Sequence, residues 1–111
     1  MDIAGVKCVM EDNTLIITID GEIDHHTAKF IREEIDKAIY YYRPNKAVMD
    51  LSAITFMDSS GLGLILGRYT QMIQLGGTFK LKDPTPEITK ILVLAGVDRL
   101  IPTEIGTSYN N

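Results

Sequence analysis

The sequence predicts an α/β protein with one mixed β-sheet of four to five strands and helices packed on it. Short apolar runs suited to strands alternate with amphipathic helical stretches in the order β-β-α-β-α-β-α. That order contains two β-α-β crossovers, each expected to be right-handed, and these require parallel strands beside an antiparallel hairpin. The length of 111 residues fits a single domain and leaves no room for a second.

The composition indicates a folded globular chain, since 45% of the residues are hydrophobic and 23% are charged. The formal net charge of −4 provides no overall positive field for nucleic acid or an anionic membrane, so protein or small-molecule partners are favoured. The single cysteine, Cys8, cannot form an internal disulfide or a multi-thiolate metal site. The first five residues lack a basic flank followed by a long apolar stretch, so we expect a cytoplasmic protein.

The first half of the chain predicts a β-hairpin followed by a helix. Residues 3–10 and 14–20 are two apolar runs joined by polar residues, and Gly21 is expected to end the second strand. Asp24 occupies a helix N-cap position. The apolar residues after it recur at helical spacing and predict a helix that ends before Pro44. These residues are Ala28, Ile31, Ile35, Ala38, Ile39 and Tyr42.

The second half of the chain predicts two further α/β units. Residues 46–51 suit a buried central strand, which leads through residues 52–57 into a helix that ends at Gly76-Gly77. The apolar stripe predicted for this helix is Leu62, Ile65, Leu66, Tyr69 and Ile73. Residues 78–82 form the next strand, Pro84 and Pro86 open a third helix that Gly96 ends, and Leu100-Ile101 is expected as an edge strand. The core therefore spans residues from about 5 to 101, and residues 102–111 are expected to be a polar, frayed end.

Three familiar kinds of site fit the sequence poorly. The glycines at 61, 63 and 67 do not match a dinucleotide-binding loop, because the third falls one residue late; they instead allow the first helical turn to lie close to the sheet or to a partner. His25 and His26 point about 100° apart on a helix, which favours ordinary first-turn residues over metal ligands. Ser59 and Ser60, together with Asp58 and the two histidines, include the residue types of a hydrolase triad, but the G-x-S-x-G motif is missing.

The segment from Asp58 to Gly61 favours a modification site. It joins the carboxyl end of a parallel strand to a helix N-terminus, where exposed serines are accessible to a kinase. A phosphate on Ser59 would be stabilised by the positive helix end, whereas desolvating its charge against a partner would oppose binding. From residue types alone, simple capping of the helix by Asp58 or Ser59 is equally consistent.

Two stretches carry a family resemblance. Residues 56–69, Phe-Met-Asp-Ser-Ser-Gly-Leu-Gly-Leu-Ile-Leu-Gly-Arg-Tyr, and residues 21–28, Gly-Glu-Ile-Asp-His-His-Thr-Ala, resemble the STAS-domain anti-sigma factor antagonists, in particular the anti-sigma F factor antagonists of spore-forming bacteria. The similarity extends over residues from about 5 to 101 and implies a single STAS domain across residues 1–111. It also implies a protein that is not an enzyme, binds the anti-sigma F factor and thereby releases sigma F.

The resemblance further implies site residues and partners. Ser59 matches the serine that the anti-sigma factor phosphorylates, that factor being a serine kinase that uses ATP and magnesium, and a PP2C-type phosphatase restores the serine. The surface that docks on the kinase is implied to include Asp24, Asp58, Ser59, Ser60, Gly61 and Leu62. Leu62 is either the apolar anchor of this surface or a core residue.

We expect no cofactor and no metal, and neither nucleic acid nor a membrane as partner. Two alternatives stay open. One is a small nucleotide-binding or weakly hydrolytic protein that uses the same strand-end pocket. The other is a STAS module of a different stress-response sigma pathway.

Overall fold

The computed structural model describes residues 5–106 and contains one five-stranded sheet with the strand order β1-β2-β3-β4-β5. The strands are β1 (Val6–Glu11), β2 (Thr14–Ile23), β3 (Lys46–Met57), β4 (Thr78–Lys82) and β5 (Thr103–Glu104). The helices are α1 (His25–Tyr42), α2 (Ser59–Gln74), α3 (Pro86–Leu94) and the short α4 (Val97–Leu100). β1 pairs antiparallel with β2, and the other neighbours pair in parallel. The predicted mixed sheet with packed helices is confirmed.

The core lies between the sheet and α1 and α2. Alternate residues of β2 that face these helices are fully buried, namely Leu15, Ile17 and Ile19. α1 contributes buried residues spaced four apart, Ile31, Ile35 and Ile39, and the buried apolar side chains of α2 are Leu64, Ile65 and Met72. The stripe predicted for α2 is wrong at Ile73, which is 48% exposed. Since α2 packs against α1 as well as the sheet, its buried face is rotated towards Leu64 and Met72.

The second strand does not end at Gly21, as the sequence predicted, but continues to Ile23. Gly21 adopts φ +83° inside the strand, and the pairing register of β2 on β3 shifts on both sides of it. At both shifts β3 contributes one residue more than β2, so the bulges lie in β3, opposite the segment of β2 in which glycine, having no Cβ, adopts the positive φ. β3 likewise continues to Met57, so that Ile23 and Met57 pair at the ends of the two strands. Both strands therefore finish at the same edge of the sheet.

The carboxyl-terminal part of the fold differs from the prediction of an edge strand at Leu100-Ile101. Residues 97–100 form α4, because a helical turn buries Val97 and Ile101, four residues apart, on the core. The edge strand is instead Thr103–Glu104, which pairs with β4. Gly106 is buried, and its N–H donates to the Asp83 carboxylate. Residues 102–111 were predicted to be a frayed end. Residues 102–106 instead belong to the fold, and residues 107–111 lie outside the described residues.

Candidate functional site

The site predicted from sequence lies where β2 and β3 end and α1 and α2 begin. The N–H of Asp58 donates to the carbonyl of Ile23 across the strand ends, at 3.2 Å. Asp24 follows Ile23 directly, and each aspartate is the N-cap of the next helix. The structure therefore brings the two predicted segments together, with two helix N-termini side by side at the carboxyl edge of the parallel strands.

Asp24 caps α1 through a complete capping box. Its Oδ1 accepts from the N–H groups of His26 and Thr27, both at 2.9 Å, and the Thr27 hydroxyl oxygen accepts from the N–H of Asp24 at 3.0 Å. These bonds, above all that from Thr27, lower the pKa of the Asp24 carboxyl below its usual range. His25 and His26 are exposed residues of the first turn, as predicted.

Asp24→Asn should reveal this cap as a pH-dependent contribution to stability. Because the pKa of Asp24 is lower in the folded than in the unfolded chain, ionised Asp24 stabilises the fold above the unfolded value of about 3.9. That contribution is lost as the pH falls through the lower folded value. Asparagine caps helices about as well as aspartate but carries no charge. In thermal unfolding the variant should be less stable than the parent at neutral pH, and the difference should shrink in acid.

The exposed Asp12 in the β1–β2 turn provides the matched control. Asp12→Asn removes the same charge without touching a cap and should change stability little at any pH. A difference between Asp24→Asn and the parent that stays constant from neutral pH into acid would contradict the proposed charged cap.

The first turn of α2 exposes Ser59 to solvent. Asp58 Oδ1 accepts from the N–H of Ser60 at 2.8 Å, so Asp58 rather than Ser59 caps α2. Ser59 is the first residue of the helix and is exposed, while Ser60 is half-buried. The capping question left open by the sequence is thus decided in favour of Asp58, and the Ser59 hydroxyl is accessible for modification.

The first turn of α2 lies against the sheet through Gly61. A Cβ on Gly61 would stand 2.0 Å from Cγ and 2.5 Å from Sδ of Met57, a residue only 2% exposed. Gly63 differs, since a Cβ there would meet nothing within 4 Å. Leu62 is partly buried and packs against the core. The close approach predicted for the glycines is therefore confirmed at Gly61, whereas Gly63 leaves open space.

That open space belongs to a cleft that sequence reasoning missed. It encloses about 430 Å³ between the first turns of α1 and α2 and is lined by His25, Ala28, Lys29, Arg32, Ser60, Gly63 and Leu64. Lys29 and Arg32 are exposed and three residues apart, so they lie on the same face of α1. This spacing was visible in the sequence, but its proximity to Ser60 depends on how the helices pack. The cleft places cationic groups beside the serine turn.

An ion pair between a buried arginine and a half-buried aspartate was also not predicted from the sequence. Arg68 is 9% exposed, and its Nε lies 3.3 Å from Oδ1 of Asp36, which joins α2 to α1. Burial lowers the pKa of Arg68, and the neighbouring Asp36 opposes this change. The sequence signal was a charged residue four positions after Leu64 and four before Met72, on the buried side of the helix. The pair helps to fix the two helices, and hence the two capped turns, relative to each other.

Further chemical features of residues 5–106 are their potential metal ligands, the thiol of Cys8 and the apolar character of the helices. No three His, Cys, Asp or Glu side chains of this part of the chain lie close enough together to hold a metal ion. Cys8 lies on β1, and burial raises the pKa of its thiol to about 11, so the thiol stays protonated at neutral pH. None of the helices in the described residues has the length and apolar character needed to cross a membrane.

Comparison with known proteins identifies the family. The STAS domain model matches residues 6–110. The chain is 40% identical, over 88 residues, to an anti-sigma F factor antagonist of Paenibacillus polymyxa, an alignment that covers 79% of this chain and 75% of the relative.

Two solved structures share the fold. The anti-sigma factor antagonist SpoIIAA in its unphosphorylated form matches with a TM-score of 0.77 and 30% identity, covering 88% of this chain and 86% of that one. The Bacillus cell fate determinant SpoIIAA in the phosphorylated form matches with a TM-score of 0.70 at the same identity, covering 88% and 89%. The chain therefore belongs to the STAS-domain family and, within it, to the anti-sigma factor antagonists.

Proposed function

We propose that this protein is a phosphorylation switch of sigma F activity. With Ser59 unmodified, it docks on the anti-sigma F factor and releases sigma F. That factor, a serine kinase that uses ATP and magnesium, inactivates the antagonist by phosphorylating Ser59, and a PP2C-type phosphatase restores it. The observation that carries the proposal is the exposed Ser59 hydroxyl at the first position of α2, beside a cap that Asp58 already provides.

The fold can accommodate a phosphate on Ser59 without rearrangement. The group would stand in water next to the positive end of α2, which stabilises nearby anions by about 0.3–2 kcal/mol. Asp58 opposes it by like charge, although its carboxylate is engaged with the N–H of Ser60. Lys29 and Arg32 in the adjoining cleft add positive charge on the other side. The unphosphorylated and phosphorylated forms of SpoIIAA both share the fold of this chain, which supports a switch that acts by charge alone.

The docking surface that we propose comprises Asp24 and the turn from Asp58 to Leu62. These groups form one continuous edge, because the strand ends that precede them are hydrogen-bonded to each other. Its centre contains the small residues Ser59 and Ser60, over which a partner can approach the backbone closely, whereas Gly61 is buried and lets this turn lie against the sheet. Leu62 is partly buried against the core and partly exposed, so it can contribute both to core packing and to the apolar part of the docking surface.

The proposed partners act on a transcription factor, so the cytoplasm is the proposed location. The protein itself carries out no reaction under this proposal and serves as a kinase substrate and binding module. The 40% identity to an anti-sigma F factor antagonist supports the sigma F pathway over a stress-response pathway.

Incubation with the anti-sigma F kinase and MgATP, followed by intact-mass measurement and peptide mapping, tests the proposal. We expect one added phosphate, on Ser59. Ser59→Ala should take up none, and Ser60→Ala should still be modified. A phosphate at another residue, or none on protein shown by circular dichroism to be folded, would overturn the assignment. Faster modification by a stress-response anti-sigma kinase than by the sigma F kinase would assign the protein to that pathway instead.

The cleft lined by Lys29 and Arg32 favours nucleotide binding as the alternative function. Lys29 and Arg32 could bind the phosphates of a nucleotide directly, as a small nucleotide-binding or weakly hydrolytic protein would require. Calorimetric titration with ATP and magnesium in the absence of kinase distinguishes the two functions. We expect no binding by the isolated protein. Binding that Arg32→Ala abolishes would support the nucleotide-binding alternative.

A further inference from the structure

β1 forms an edge of the sheet, and no strand of the described residues pairs with its outer side. It is six residues long and contains no proline, whereas β5 at the opposite edge has only two residues. An edge strand of this kind presents unpaired N–H and C=O groups that can bond to another strand. Natural proteins usually shorten, bend or cover such an edge, so its use as a contact is worth testing.

The hydrogen bonds of the hairpin show which backbone groups of β1 face outward. The N–H of Asp20 donates to the carbonyl of Gly5 at 3.1 Å, and these residues stand opposite each other in the register of β1 on β2. Since hydrogen-bonded pairs alternate along an antiparallel ladder, Lys7, Val9 and Glu11 bond inward to β2. The backbone groups of the residues between them, Val6, Cys8 and Met10, therefore point away from the sheet.

The side chains of β1 divide between two faces. Val6 is buried in the core, and Cys8 and Met10 pack against it from the same side. Lys7, Val9 and Glu11 are exposed on the opposite face, and Val9 is 40% exposed. Neither Lys7 nor Glu11 forms an ion pair with another described residue. The charges therefore flank an exposed valine symmetrically, two residues on each side.

Both faces offer apolar surface up to this edge. On the face opposite the helices, the exposed Val9 stands beside the half-buried Ile16, and Ile16 beside the buried Val48, in a row across three strands. On the helix side, a groove of about 300 Å³ runs along β1 and is lined by Val6, Cys8, Glu34, Lys37, Ala38, Tyr41 and Tyr42. Tyr41 is 78% exposed. A strand added at the edge would cover apolar atoms on each side of the sheet.

We propose that β1 pairs antiparallel with β1 of a second copy of this chain, about a two-fold axis through Val9. In this arrangement Lys7 of each copy stands opposite Glu11 of the other, which gives two charge pairs across the interface. The two Val9 side chains meet, so the row through Ile16 and Val48 continues from one protomer into the next. The two five-stranded sheets join into one.

Charge and hydrogen bonding together select this register. The outward backbone groups of one copy must meet outward groups of the other, so the axis can move only by whole residues, which keeps even-numbered residues of β1 opposite even-numbered ones. An axis at Cys8 would place Lys7 opposite Val9 and lose both charge pairs. An axis at Met10 would place Val9 opposite Glu11 and leave a charge against the apolar row. Only the register about Val9, of these three, pairs each Lys7 with a Glu11 and also places the two Val9 side chains together.

Sedimentation equilibrium on the full chain tests the interface, with a concentration series that reaches the millimolar range at physiological salt. We expect reversible dimers. Lys7→Glu should weaken association by about tenfold or more, because both charge pairs become repulsive. The double variant Lys7→Glu/Glu11→Lys restores both pairs and should return the affinity to within about threefold of the parent. Lys29→Glu is the control, since it makes the same charge change on α1 and should leave association unchanged.

Disulfide trapping tests the register itself. In a Cys8→Ser background, Val9→Cys places two thiols opposite each other on the proposed axis and should give a covalent dimer under mild oxidation. Lys7→Cys in the same background places its thiols about 13 Å apart along the strands and should stay monomeric. A parent protein that remains monomeric throughout the series, a double variant that does not recover, or cross-linking at position 7 but not at position 9 would each overturn the proposal. Phosphorylation assays on Ser59 play no part in these outcomes, so the interface and the proposed switch can fail separately.

Discussion

Phosphorylation of Ser59 should weaken docking on the anti-sigma F factor by about a hundredfold or more. Ser59 is exposed at the centre of the proposed docking edge, so a partner that covers this edge must remove water from the phosphate. Phosphoserine carries a charge of about −1.5 to −2 near neutral pH, and burying a charge without a partner costs several kcal/mol. A hundredfold change corresponds to about 2.7 kcal/mol. Isothermal titration calorimetry on the two forms measures the effect directly.

Three variants separate charge at the docking edge from other causes. Ser59→Ala should bind like the unmodified parent and should not respond to kinase and MgATP. Ser59→Asp should bind more weakly than the parent, although by less than the phosphoprotein, since it adds a single charge. Thr70→Asp adds the same charge to an exposed position of α2, about 16 Å along the helix axis, and should leave docking unchanged. Equal affinities of the phosphorylated and unmodified proteins would refute the charge switch.

Gly61→Ala should destabilise the protein by about 1–3 kcal/mol, the usual cost of overpacking a well-packed core. The added Cβ would fall 2.0 Å from Met57 Cγ and 2.5 Å from its Sδ. Met57 is almost fully buried at the end of β3, so either it or the first turn of α2 must move. Because that turn carries Ser59, we expect weaker docking as well as a lower free energy of unfolding. Urea denaturation followed by circular dichroism gives the stability.

Gly63→Ala is the matched control for this prediction. It lies two residues along the same helix, and its Cβ would meet nothing within 4 Å. Alanine is favoured over glycine inside a helix by about 0.5–1 kcal/mol, so this variant should be as stable as the parent or more stable. The two substitutions should therefore have opposite signs.

A double-mutant cycle identifies the contact responsible. Met57→Ala alone should cost about 2–5 kcal/mol through the cavity it leaves. Combined with Gly61→Ala, it should cost less than the sum of the two single changes, because the colliding side chain is gone. Additive losses would show that Gly61 is required for a reason other than its contact with Met57.

Local sequence patterns were sufficient where the physical cause is itself local. Asp24 was predicted as a cap because a carboxylate before an apolar periodic stretch satisfies the free N–H groups of a first helical turn, and it caps α1. For α2 the sequence offered Asp58 or Ser59, and the cap is Asp58. The same kind of evidence predicted the β-α-β order, the end of α1 before Pro44 and the glycines that follow α2. Each depends on residues within a few positions of one another.

The errors arose where a local rule competed with packing. Glycine often ends a strand, but β2 continues through Gly21 because β3 supplies a pairing partner as far as Met57. Leu100-Ile101 had the composition of a strand, yet burial of Val97 and Ile101 on one side of a helical turn decided their conformation. Both choices depended on contacts between distant parts of the chain, which a local pattern does not contain.

By itself, the sequence determined the fold class, the order of the elements from β1 to α3 and the cap of α1. Tertiary structure alone decided that the capped N-termini of α1 and α2 lie side by side. β2 continues past Gly21 opposite the bulges of β3 and carries Asp24 to the level of Asp58, where the backbone bond from Asp58 to Ile23 holds the strand ends together. It also decided that Lys29 and Arg32 border the serine turn, and that Arg68 pairs with Asp36 between the helices. The physical reason is that capping is a bond within one turn, whereas a binding surface forms only when sheet pairing and helix packing bring separate turns together.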